Sequence, residues 1–264
     1  MSQFNLVRLW FIVVTRSPST VFRTIFENML EQFKSLVKKT NAMSGISLYA
    51  EELSPIDILQ NKHRGFIGGK WEEIGRLQYN FMLERGLQPQ HKLLDIGCGC
   101  LRGGIHFIDY LSAGNYYGLD VNASLIKAAW HEVKVAKLNE KNPQLLVSDR
   151  FEIDKFQQKY DFMLSVSVFT HLPMNIIIRC LSEVSKNLAP DGKYYSTCFI
   201  APTSAYTATI KQADDVLSRY DSDPFHYSLE EITFMAKLAN LKVDLIGEWG
   251  HPRNQQMLEF STVE

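Results

Sequence analysis

The run Leu93-Leu94-Asp95-Ile96-Gly97-Cys98-Gly99-Cys100-Leu101-Arg102-Gly103-Gly104 is an apolar strand that ends in an acid and breaks into a glycine-rich turn. In a parallel α/β sheet such a turn lies at the carboxyl end of the first strand, where a nucleotide-bearing cofactor meets the chain. The position of Asp95 narrows the choice of cofactor. It stands just ahead of the first glycine, where a pyrophosphate would meet an anion instead of open backbone amides. A cationic cofactor suits this strand end better.

The chain has 264 residues, 45% of them hydrophobic and 22% charged, which allows one large core or a core with a small appendage. A formal net charge of −1 leaves no global basic field, so general nucleic-acid binding is not expected. Cys98, Cys100, Cys180 and Cys198 form no disulfide framework, and Cys98-x-Cys100 lacks a second Cys or His pair at zinc spacing. No metal is expected, and reduced thiols fit a cytoplasmic protein. The apolar residues 6–14 fall short of the roughly twenty that a membrane span needs, and no cleavage-site pattern of a signal peptide precedes Pro18.

From Val21 onward Phe22, Ile25, Phe26, Met29, Leu30, Phe33, Leu36 and Val37 recur at three and four, an amphipathic helix opposite a net basic face. This belongs to an N-terminal helical extension over residues 1–64. Through residues 1–40 it would either dock on the main domain or a second copy, or touch a membrane surface peripherally. Gly68-Gly69-Lys70 does not make a phosphate loop, because the spacing to Gly65 is one residue short and Trp71 stands where a Ser or Thr must hold magnesium.

Residues 71–85 carry a helical pattern, and from there the pattern alternates. Strands are expected at 92–96, 116–121, 144–147, 161–166, 193–200, 241–248 and 256–261, with helices at 101–111, 123–138, 174–188 and 229–239. This order implies an α/β fold over residues 65–264, a Rossmann-like three-layer sandwich with a seven-stranded, mostly parallel sheet. The last two strands have no helix between them and should pair antiparallel at one edge.

Asp120 ends the second strand, where an acid accepts both hydrogens of a ribose diol; its alternative is to cap the next helix. A dinucleotide fingerprint needs a third glycine at 102, and Arg102 occupies that position, which counts against a nicotinamide or flavin cofactor. The order Asp95-Ile96-Gly97-Cys98-Gly99, Asp120, Asp149 and Tyr160-Asp161-Phe162-Met163-Leu164-Ser165 resembles the class I S-adenosylmethionine-dependent methyltransferases over roughly residues 65–262. The resemblance implies that Asp95, Gly97, Cys98 and Gly99 approach the methionine part, Asp120 with Val121 the ribose, and Asp149 with Arg150 or Phe151 the adenine. It also places Ser165 to Phe169 near the methyl group. Arg102 would face the cofactor carboxylate or simply solvate a helix start.

Methyl transfer is an in-line displacement, for which the protein supplies positioning and, for a hydroxyl or amine, a base. The fourth strand runs into Ser165-Val166-Ser167-Val168-Phe169-Thr170-His171 and lacks the Asn/Asp-Pro-Pro-Tyr signature of base-methylating relatives. A small molecule, or a carbohydrate, lipid or natural-product intermediate, is the acceptor expected. His171, His226 and His251 are the candidate bases, and residues 201–227 are long enough for a substrate lid. An NAD(P)-dependent oxidoreductase and a non-catalytic cofactor-binding scaffold are the competing readings.

Overall fold

The computed structural model describes residues 51–263. The compact unit to which they belong begins at Tyr49, not at residue 65. The expectations for residues 1–40, whether docking, dimerisation or membrane contact, lie outside the described residues. Among the described residues no helix is long and apolar enough to cross a membrane.

Two short helices, α1 (Pro55–Leu59) and α2 (Lys62–Phe66), lead into α3 (Trp71–Glu84). The alternating body follows: β1 (Leu93–Ile96), α4 (Gly104–Tyr110), β2 (Tyr116–Asp120), α5 (Ala123–Val135), β3 (Gln144–Val147), β4 (Tyr160–Ser165), α6 (Met174–Asn187) and β5 (Leu188–Ile200). Three two-residue strands, β6 (Ile210–Lys211), β7 (Leu217–Ser218) and β8 (His226–Tyr227), interrupt the long connection. α7 (Leu229–Leu238), β9 (Leu241–Gly247) and β10 (Gln256–Thr262) complete the chain.

The sheet runs β3-β2-β1-β4-β5-β10-β9, with β10 antiparallel to both its neighbours. The expected seven strands are all present, and β8 adds an eighth by pairing Phe199 with His226 and Ile200 with Tyr227 at the far end of β5. That addition draws part of the expected lid, residues 201–227, into the sheet; β6 and β7 pair separately.

All four residues of β1 are buried because helices cover both faces of the sheet. Side chains alternate between the faces: Leu94 and Ile96 join a core with Ile177, Leu181 and Val184 of α6, while Leu93 joins Phe107 of α4 and Val133 of α5. Asp95 therefore points to the α4 and α5 side.

The α1–α2 segment is fastened over the glycine turn. Ile58 packs with Cys100, Leu125 and Ala128, and Leu53 N–H donates to Ser124 Oγ. Glu132, buried on α5, accepts from Arg64 at 2.7 and 2.8 Å and bonds His63 Nε2 at 2.6 Å. These contacts are why the unit begins before residue 65.

Candidate active site

The carboxyl end of β1 turns sharply at Gly97 (φ 72°) and Gly99 (φ 53°), conformations that L-residues rarely adopt. Gly97 and Cys98 N–H both donate to Leu119 O of β2, at 2.8 and 3.0 Å. A Cβ on Gly97 would stand 2.4 Å from Val168 Cγ2, so the turn is closed on one side by the chain that leaves β4. Gly103 and Gly104 answer a different need. Cβ atoms there would strike Gln78 Oε1 at 2.0 Å and Tyr116 Oη at 2.4 Å, so these glycines admit close packing of the turn against α3 and β2.

Asp95 and Asp120 lie at adjacent strand ends, 5% and 8% exposed. Tyr116 Oη–H donates to Asp95 Oδ2 at 2.8 Å. Burial, reinforced by the neighbouring Asp120 charge, pushes Asp95 up to about 7, against the opposing pull of Tyr116 and Arg102. Burial raises Asp120 as well, and backbone N–H donors pull the other way. Two neighbouring buried carboxylates, each disfavoured as an anion by burial, make a place for a cation.

Asp120 accepts Gly99 N–H at 2.9 Å and Asn122 N–H at 2.8 Å, which leaves further lone pairs for a diol. It does not cap α5. Asn122 does, accepting from Ser124 N–H and Leu125 N–H. Beside Asp120, Val121 is 60% exposed, and Asp149 and Arg150 are exposed as well. Arg150 lines a surface cleft of about 590 Å³ with Arg179, Glu183 and Lys186.

Several expected roles change with the structure. Arg102 does not solvate a helix start: it is 7% exposed, and Nη1 donates to Ile67 O and Gly69 O at 3.2 and 3.1 Å, tying the end of α2 to the turn. Ser165 is fully buried and its hydroxyl is shared with Tyr194 Oη (2.6 Å) and Ser196 Oγ (2.8 Å), so it braces β4 against β5 instead of meeting a ligand. Cys98 and Cys100 are buried thiols, and burial pushes the Cys100 thiol up to about 12.

The three histidines part company. His226 is fully buried, with Nε2 on Tyr206 O at 2.7 Å and Nδ1 on Ser218 Oγ at 3.1 Å; both ring nitrogens hold the β6–β8 connection together, and it cannot serve as a base. His171, in the turn after β4, bonds Asp223 Oδ1 through Nδ1 at 2.6 Å, with both side chains about one-fifth exposed. His251 is 6% exposed, stacks on Trp249 and accepts Arg253 N–H at Nδ1. Its Nε2 is buried without a partner.

Residues 94–194 match the family model of a methyltransferase domain. That stretch is a methyltransferase domain, and the fold around it is that of S-adenosylmethionine-dependent methyltransferases. An uncharacterized protein of Rickettsia prowazekii is 23% identical over 208 residues, 78% of this chain and 76% of its own length. Among solved structures, an S-adenosylmethionine-dependent methyltransferase from Clostridium acetobutylicum superposes with a TM-score of 0.59 at 11% identity, covering 80% of this chain and all of that one. Magnesium protoporphyrin IX methyltransferase from Synechocystis, solved with bound S-adenosylmethionine, gives 0.51 at 13% identity over 87% of this chain and 97% of its own. At such identities the likeness is one of fold.

Other polar residues near the strand ends carry no signal in the sequence. Gln255 Oε1 accepts from Ser167 Oγ (3.0 Å) and Thr197 Oγ1 (2.7 Å), and Thr197 in turn accepts Ser167 N–H. Asp223 joins His171 from 52 positions away. No local pattern marks either: Gln255 meets its partners only where the ends of β4, β5 and β10 come together, and Asp223 meets His171 only where the β7–β8 connection reaches the turn after β4.

Proposed function

We propose that the protein binds S-adenosylmethionine at the carboxyl ends of β1 and β2 and transfers its methyl group to an oxygen or nitrogen of a small-molecule, carbohydrate, lipid or natural-product acceptor. The observation that carries this reading is the pair of buried acids, Asp95 and Asp120, set around a glycine turn with Val121 open beside them. The residues fit the cofactor. Asp95 suits its cationic end, Asp120 has acceptor capacity for the ribose hydroxyls, and Val121 with Asp149 offers an apolar face and an acid for the adenine. A dinucleotide would bring its phosphates against the same two carboxylates, which disfavours the oxidoreductase reading.

Bound there, S-adenosylmethionine supplies a sulfonium methyl open to in-line displacement. The chain's own contribution on the acceptor side is a base. His171 donates its Nδ1–H to Asp223, which fixes the ring and places the basic lone pair on Nε2, as a carboxylate orients histidine in other acid–base sites. Val168, three residues earlier, packs over Gly97, so the same turn connects the base to the cofactor loop.

Calorimetric titration with S-adenosylhomocysteine tests the cofactor half. We expect saturable binding in the micromolar range, lost in Asp120→Ala; absence of heat and of a thermal shift at millimolar ligand overturns the reading.

A further inference from the structure

The β9–β10 connection, residues 248–255, reaches over the carboxyl ends of the strands and meets two other loops. Arg253 Nη2 donates to Gly68 O at 2.7 Å, and Arg253 Nε lies 3.5 Å from Asp214 Oδ2. Lys70 Nζ lies 3.3 Å from the same oxygen and 3.4 Å from the exposed Glu73. One carboxylate oxygen thus bridges two cations at distances longer than those of a tight charge-assisted hydrogen bond. Asp214 and Asp215 both hold left-handed backbone, at φ 55°. A non-glycine pair in that conformation is uncommon and marks a segment held by its surroundings.

Behind this bridge lies His251. Because Nδ1 accepts Arg253 N–H, a neutral ring carries its proton on Nε2, and that N–H is the buried donor left unsatisfied. Burial first, then the charges of Arg102 and Arg253, push the imidazole down to about 3, so it stays neutral. A buried donor surrounded by Arg102, Arg253 and Lys70 is complementary to one kind of group, an anionic oxygen.

We propose that Lys70, Arg253 and His251 form a subsite for an anionic group of the methyl acceptor, a carboxylate or a phosphate, and that Asp214 occupies the subsite until the acceptor displaces it. The proposal rests on the methyltransferase reading above and names the acceptor class within it. Arrival of the anion exchanges the bridging carboxylate for the ligand's own oxygens. Parting the Arg253 and Lys70 bridge opens the path by which a ligand oxygen reaches His251 Nε2–H.

The test uses the full chain, saturated with S-adenosylhomocysteine and titrated with inorganic phosphate at constant ionic strength. Fluorescence of Trp249, whose ring stacks on His251 at 5.6 Å, reports the site, with Trp249→Phe as the blank. We expect a saturable change in the millimolar range, weakened roughly tenfold in Arg253→Ala and Lys70→Ala, the scale of losing one close charge pair. In Asp214→Asn it should tighten several-fold, because the resident competitor has lost its charge. A merely structural Asp214 predicts no tightening.

Absence of a saturable response, or equal affinity in Asp214→Asn and the parent chain, overturns the proposal. So does abolition of phosphate binding by S-adenosylhomocysteine together with weaker S-adenosylhomocysteine binding in Lys70→Ala, since that outcome assigns the cations to the cofactor's carboxylate. Failure of the parent chain to bind S-adenosylhomocysteine strikes the methyltransferase reading instead, and phosphate titration of the ligand-free chain still reads the subsite.

Discussion

The two halves of the proposed site are built differently. The cofactor half comes from one stretch, β1 through the start of α5, where the glycine turn, Asp95 and Asp120 are fixed by neighbours close in sequence and by the β1–β2 register. The acceptor half is gathered from the segment before α3, the turn after β4, the β5–α7 connection and the β9–β10 loop. Local geometry makes the first half rigid and recognisable. The second depends on long-range partners.

If that contrast is right, the largest effect on the fold should come from the turn. Gly97→Ala must place a methyl 2.4 Å from Val168 Cγ2 at a φ of 72°, and we expect a loss of about 2–4 kcal/mol in stability. Denaturant unfolding should show it together with loss of S-adenosylhomocysteine binding. Gly99→Ala sharpens the point, since its nearest neighbour would be Ile67 Cγ2 at 3.5 Å and only the left-handed φ is strained. About 1–2 kcal/mol is expected there. Equal losses at the two positions would show that contact with the β4 exit does not set the turn.

The same contrast explains what could be read in advance. Strand and helix periodicity is local, so the alternating order and the antiparallel final pair were legible, and β3 falls where the apolar run at 144–147 placed it. The places of Asp95 and Asp120 at adjacent strand ends were legible because a glycine turn and the end of an apolar run mark them. His226 was misjudged because its two partners, Tyr206 and Ser218, belong to a connection whose short strands carry no periodicity. That Arg102 is buried instead of solvating a helix start was hidden for a related reason: the carbonyls it binds, Ile67 O and Gly69 O, lie more than thirty residues upstream.

A titration probes the cofactor half more gently. The carboxyl of Asp95 sits at about 7 in the folded chain against an ordinary value near 4. The folded state therefore holds the proton longer than the unfolded one. Its contribution to stability is full below about pH 4 and is lost as pH rises through about 7. A bound cation opposes the shift and draws the acid back to its ionised form. S-adenosylmethionine should accordingly release up to one proton on binding at about pH 6 and almost none at pH 8, with affinity rising between the two. Calorimetry in two buffers of different ionisation enthalpy reads the proton directly, and Asp95→Asn should remove the dependence. An unchanged dependence in that variant would place the cation elsewhere.

The acceptor half should break without loss of cofactor binding, and its histidines separate effects on the fold from effects on transfer. His226→Ala strands Tyr206 O in the interior and removes one partner of Ser218 Oγ, for a loss of about 2 kcal/mol, with S-adenosylhomocysteine affinity retained. His171→Ala removes one member of a partly exposed pair, and its stability should stay within about 1 kcal/mol of the parent chain. Binding of S-adenosylhomocysteine should be unchanged as well. Transfer of labelled methyl to a small-molecule extract should nevertheless fall by roughly 10²–10⁴, the range for loss of a positioned base. Asp223→Asn keeps the imidazole but weakens the partner that orients it, so its loss of transfer should be smaller than that of His171→Ala. If instead His226→Ala abolishes transfer and His171→Ala does not, the base lies in the β6–β8 connection.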